Sequence, residues 1–203
     1  VNLLNISGTE VINFENSNSD SPIVTLDITN AASDLAFGSH FSTAKIAAKD
    51  DTDLFLTISN DMTITTTGSS NNLTINAAGK SITLASSSTT GNITINNANI
   101  IDIDTIYSVN NLTAVANGDF SLTNGSQLAG NVNVRSGGTI NINNATTATG
   151  TLTLSNERAQ PGSDITLTNA NSFGNVSISS VGSITATAND GFAAASVITA
   201  TAA

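Results

Sequence analysis

Gly91-Asn92-Ile93-Thr94-Ile95, followed after five intervening residues by Ile101-Asp102-Ile103, contains the pattern from which the fold is read. In each apolar-polar-apolar triplet the outer side chains point one way and the middle one the other, the period of a β-strand. The Gly-Asn pair in front marks a sharp change of direction, because both residues reach positive φ at little cost.

Working outward, the first triplet belongs to a series beginning at Leu54, Leu73, Ile93, Leu112, Val132, Leu152 and Val176, with spacings of 19, 20, 19, 20, 20 and 24 residues. The second belongs to a series beginning at Met62, Ile82, Ile101, Phe120, Ile140, Ile165 and Ile184, spaced by 20, 19, 19, 20, 25 and 19. Both series lengthen by about five residues at one place, so a single insertion falls within Ser155 to Asp164. One such strand cannot bury its apolar face alone, whereas equivalent strands stacked from successive repeats build a continuous core. The reading is an all-β right-handed parallel β-helix, a β-solenoid of 19–20 residues per coil and roughly ten coils.

Composition agrees with that architecture. Asn, Thr and Ser make up 84 of 203 residues, and charged residues only 10%. Asn, Thr and Ser compete with helical hydrogen bonding, so helix is disfavoured. Ile, Leu and Val recur throughout, which disfavours disorder. Five basic against 15 acidic residues, a net charge of −10, argue against a phosphate-binding surface, so no nucleic-acid partner is expected. No apolar run approaches the roughly 18 residues of a membrane span, so membrane insertion is not expected. There is no cysteine, hence no disulfide framework or thiolate metal site.

Corner residues repeat as well. Asn72, Asn92, Asn111 and Asn131 precede strands of the first series and should stack into a hydrogen-bonded ladder, while Gly79, Gly118, Gly138, Gly162 and Gly182 precede the second. A third side is marked by Ile106, Leu128 and Phe173. Leu35-Ala36-Phe37, 19 residues before Leu54, continues the first series backward, and Leu26-Asp27-Ile28 and Ile12-Asn13-Phe14 extend that series with slippage. The expectation is one solenoid over 1–203: irregular early coils in 1–53, regular coils in 54–190 with the insertion near 155–164, and a tail in 191–203. A start at Val1 without Met suggests a processed or excised piece of something larger.

The stretch Leu152-Thr153-Leu154-Ser155-Asn156, then Ile165 to Ile178 with its Asn171-Ser172-Phe173-Gly174 corner, then Val181-Gly182-Ser183-Ile184-Thr185-Ala186, resembles repeats of large bacterial secreted exoproteins of the filamentous haemagglutinin type. The resemblance covers about residues 54–190. It implies an extracellular or cell-surface rod presenting adhesive surfaces at a distance from a cell.

Three groups of residues invite chemistry. Asp102 and Asp104 sit two apart, but Thr83 and Ser121 flank Asp102 in the ladder and no Arg, Lys or His stacks beside it. An acid/base pair needs environments that separate two pKa values, which a solvated strand face does not supply, so no catalytic residue is assigned and the chain is not read as an enzyme. Asp50, Asp51 and Asp53 form the best metal candidate, for calcium, since that ion takes several carboxylates on a flexible loop. His40 stands alone without a second ligand. Outward Thr rows raise ice binding, but the row Thr65, Ala85, Asp104, Thr123, Asn143 is broken and charged. Asn-x-Ser/Thr at Asn5, Asn72, Asn92, Asn111, Asn124, Asn144 and Asn175 would mark glycosylation in a suitable host, but most of these sites are corner Asn residues followed by an outward Thr or Ser, so the repeat itself generates the motif.

The functional expectation is therefore a non-enzymatic structural or adhesive rod segment of a secreted or cell-surface bacterial protein. No resident cofactor is assigned beyond the candidate calcium. Its partners would be a host or neighbouring-cell surface, glycans, or copies of itself. The alternative is a subunit of an extracellular fibre or surface layer polymerising end to end by strand pairing. An ice-binding or polysaccharide-acting β-helix comes third.

Overall fold

A computed structural model describes residues 4–6, 11–14, 23–28, 32–37, 41–48, 53–67, 71–107, 110–124, 127–143, 146–147, 150–157, 163–168, 175–187 and 197–202. Every regular element in them is a β-strand, and all pairings between strands are parallel. Two long sheets run the length of the stack. The first has ten strands and includes Asp53–Ile58, Leu73–Asn76, Ile93–Ala98, Leu112–Ala116, Val132–Ser136, Thr151–Asn156 and Asn175–Ser180. The second includes Met62–Thr67, Ile82–Ser88, Ile101–Ile103, Phe120–Leu122, Ile140–Asn143, Ile165–Thr168 and Ile184–Thr187. Each strand pairs with its counterpart one coil away, which makes the chain a parallel β-solenoid.

Register follows the triplets. Leu73 pairs with Leu54 and Ile93, Leu112 with Ile93 and Val132, and Leu152 with Val132 and Val176. In the second sheet Ile101 pairs with Ile82 and Phe120, and Ile140 with Phe120 and Ile165. Outer triplet positions are buried almost without exception, middle ones half-buried or exposed, as strand alternation requires. Apolar rows from the two sheets meet inside as one core, in which Phe37 and Phe120 are the largest fully buried side chains. Phe37 packs edge-on to Phe41, their ring centroids 6.1 Å apart.

Three expectations are corrected. Leu35 pairs with Leu56, not Leu54, so that coil is 21 residues long. A slip of two keeps Leu35 and Phe37 facing inward, whereas a slip of one would expose both. Asp104 lies past the end of its strand, Ile101–Ile103, although its N–H still reaches the Leu84 carbonyl at 3.0 Å. The row Thr65, Ala85 does not form: a register shift after Ile64 and Leu84 places Ser86 opposite Thr65.

Of the two triplets expected to extend the first series, Ile12 does so opposite Leu35, whereas Leu26 falls in the second sheet opposite Ile46, because the early coils alternate between the two sheets as the later ones do. Val197–Ala202, assigned to the tail, pairs with Asn175–Ser180 as a further strand of the first sheet. The third side consists of short pairings, Ile106–Tyr107 on Ser87–Ser88 and Gln127–Leu128 on Thr146–Thr147; Phe173 lies outside the described residues.

The insertion is placed by register. Asn156 pairs with Ser136 and Ile165 with Ile140, so eight residues (157–164) stand where the preceding coil has three (137–139). Asn156 ties its two ends to the stack. Its buried Nδ2 donates to the Gly138 carbonyl one coil away and to the Ser163 carbonyl, both at 2.7 Å.

Candidate binding face

At the corner before the first sheet the strand pairing would lapse, because the chain turns and a backbone N–H loses its partner. Side-chain amides take over. Asp53 Oδ1 accepts from Asn71 Nδ2 at 3.0 Å, Asn72 N at 3.1 Å and Asn72 Nδ2 at 2.9 Å. Asn72 Oδ1 accepts from Asn92 N at 2.9 Å, and Asn92 Oδ1 from Asn111 Nδ2 at 2.7 Å. Asn111 Oδ1 accepts from Asn131 N, and Asn131 Oδ1 from Thr151 N, both at 2.9 Å. The carbonyls of Asn72, Asn92, Asn111 and Asn131 accept from Leu54, Leu73, Ile93 and Leu112 at 2.8–2.9 Å, so ladder and sheet form one continuous network. The ladder expected from sequence is present, and Asp53 begins it.

Asn111→Ala removes one donor and one acceptor from the middle of this row. It should cost about 1–2 kcal/mol of stability, read as a lower urea midpoint together with faster exchange of the Asn131 amide proton. Unchanged exchange at Asn131 would show that the ladder carries no load.

The corner before the second sheet uses carboxylates for the same task. Asp61, Asp119 and Asp164 accept from Ser81 N, Thr139 N and Ser183 N, each at 2.8 Å. Asp61, Asp119 and Asp164 thus line the second-sheet corner, whereas at the first-sheet corner Asp53 alone stands in the row of asparagines among the described residues. Asp102 is aligned with Thr83 and Ser121 and accepts from the Ser121 hydroxyl, and Asp104 accepts from Asn124 Nδ2. These neutral partners do not set up an acid/base pair. Asp50, Asp51 and His40 lie outside the described residues, and Asp53 is committed to the corner ladder. Among the described residues no group of three His, Cys, Asp or Glu is placed to hold a metal ion.

The first sheet presents a different face. Its corner row Asn92, Asn111, Asn131 runs beside the outward row Thr94, Thr113, Asn133, two residues on in the same strands and in register. Between the rows lies a shallow groove of about 460 Å³. Its lining is uncharged, with buried Leu112 beneath.

One pair escaped the sequence reading. Arg135 Nη2 bonds Glu157 Oε2 at 2.5 Å beside a second groove of about 300 Å³. Glu157 raises the Arg135 guanidinium above its ordinary pKa, chiefly through the hydrogen bond and then through charge. A raised pKa on a cation stabilises the fold below that value, so the contribution is present in the neutral range and is lost as the guanidinium deprotonates in strong alkali. The pair is exposed, and such bridges contribute little. The signal was available: Arg135 sits one coil before Ser155, and Glu157 two residues further on.

Comparison with protein-family models, curated proteins and solved structures returned no match. The chain stands as a β-solenoid repeat protein on its own geometry.

Proposed function

We propose that the chain is a non-enzymatic structural and adhesive rod segment of a secreted or cell-surface bacterial protein, similar to filamentous haemagglutinin-type exoproteins. The observation carrying this reading is the stack of parallel strands in two long sheets, closed at its corners by side-chain hydrogen bonds that replace missing strand pairing. Such a stack resists bending because each coil is bonded to both neighbours along two sheets, and it repeats an outward surface every 4.7–4.9 Å. Polar, in-register outer rows are what an adhesive surface needs, and Asp61, Asp119 and Asp164 support the rod by capping backbone N–H groups at its corners.

Electron microscopy of the purified chain tests the rod. Stiff particles roughly 50 Å long are expected from ten stacked coils. Compact round particles would overturn the reading, and long filaments would replace it with end-to-end assembly. Release of reducing ends from neutral or acidic polysaccharides would overturn the non-enzymatic part.

A further inference from the structure

We infer that the neutral strip of the first sheet binds an uncharged, extended polysaccharide lying along the solenoid axis, which names a partner for the adhesive reading above and rests on it. The first row of the strip is ordered before any ligand arrives. Asn111 Nδ2 spends one hydrogen on Asn92 Oδ1 at 2.7 Å, and Asn111 Oδ1 spends one lone pair on Asn131 N at 2.9 Å. An amide has two hydrogens and two lone pairs, so each ladder amide keeps hydrogen-bonding capacity beyond its axial bonds. Holding these rotamers in the free protein removes much of the ordering cost that binding would otherwise incur.

The second row, Thr94, Thr113 and Asn133, adds hydroxyls and an exposed amide in register with the first. Both chemistries donate and accept, as sugar hydroxyls do. The groove between the rows crosses three coils, so a linear polymer along it meets the same groups every 4.7–4.9 Å.

Charge selects the kind of polymer. Asp61, Asp102, Asp119 and Asp164 lie on the second sheet or its corner and Asp104 just past it; on the first sheet Asp53 stands two coils before the strip, Arg135 is already paired with Glu157 at its far edge, and the groove lining itself carries no charge. A polycation would be drawn to that acidic side. A polyanion would meet a chain of net charge −10 with no cation in the groove to hold it. A neutral, hydroxyl-rich chain is what the strip fits.

The test uses the full chain and isothermal titration against cellohexaose, xylohexaose, laminarihexaose and chitohexaose, with hexagalacturonate as the charged counterpart. At least one neutral hexamer is expected to bind. The double substitution Asn133→Ala with Thr113→Val, outside the corner ladder, should weaken that binding about tenfold, as loss of two hydrogen bonds implies. Asn133→Ser with Thr113→Ser leaves a hydrogen-bonding hydroxyl in both places and should retain most of the affinity, and Thr83→Val on the second sheet should leave it unchanged. Binding to none of the neutral hexamers, preference for hexagalacturonate, or indifference to the double substitution each overturns the proposal. If any of these occurs in a chain still imaged as a stiff rod, only the polysaccharide is lost; round particles would remove the rod reading itself.

Discussion

Phe120→Ala is expected to lower the unfolding free energy by about 3–5 kcal/mol, the range for truncating a buried aromatic in a core that closes only partly around the gap. Phe120 is 1% exposed and stands in the second sheet between Ile101 and Ile140. Its ring fills the interior of one coil and touches the coils on either side, so the cavity weakens two inter-coil interfaces at once. In a stack held by nearest-neighbour contacts, the loss should be local before it is global. Hydrogen exchange should therefore accelerate first in Ile101–Ile103 and Ile140–Asn143, and the urea midpoint should fall with it. Phe120→Leu, which keeps much of the apolar surface, should cost clearly less. A change below about 1 kcal/mol for the alanine variant would mean the core is not continuous at this coil.

Gly130→Ala should be nearly as damaging, and for a different reason. A Cβ built on Gly130 would lie 1.6 Å from the Asn110 carbonyl oxygen, 2.6 Å from its carbon and 2.8 Å from Asn111 Oδ1. The first two are backbone atoms of the neighbouring coil, so no rotamer change relieves the clash. The coils must move apart, which strains two bonds of 2.9 Å, Leu112 N to Asn131 O and Asn131 N to Asn111 Oδ1. Overpacking and two weakened hydrogen bonds together amount to about 3–5 kcal/mol. Gly79→Ala is the matched control. Gly79 has φ +80° with nothing within 4 Å of a new Cβ, so only the left-handed backbone penalty of about 1–2 kcal/mol applies. Thermal unfolding of both variants decides the matter: equal or greater loss at Gly79 would refute the close-approach argument.

That contrast also shows where the sequence reading was right for the wrong reason. Glycines were expected at corners because they reach positive φ, yet among the described glycines only Gly79 does so. Gly91, Gly130 and Gly150 are required because backbone of the adjacent coil passes where a Cβ would be. Positive φ falls instead on Ala78, Asn97 and Asn124. Local propensity tables cannot reveal this, since the clashing atoms are one coil away in sequence.

The binding face was half legible. The corner Asn row could be read from spacing alone, because a residue type recurring once per coil must stack on itself. Its second row, Thr94, Thr113 and Asn133, was visible as outward positions. The separation of charge between faces was not, since it depends on which corner each aspartate caps. The pairing of Arg135 with Glu157 was legible but overlooked: Arg135 lies one coil before Ser155, and Glu157 stands two residues further on.

The sequence by itself determined the strand period, the coil length, the registers of the regular coils and the place of the insertion. Each of these is a distance along the chain, and a solenoid converts that distance directly into neighbourhood in space. Tertiary structure alone decided the two-residue slip at Leu35, the bulge at Ala85, the steric need for Gly130 and the neutral strip set apart from the acidic side. Those features arise between coils, where atoms distant in sequence compete for the same few ångströms, and period-2 patterning is indifferent to a shift of two.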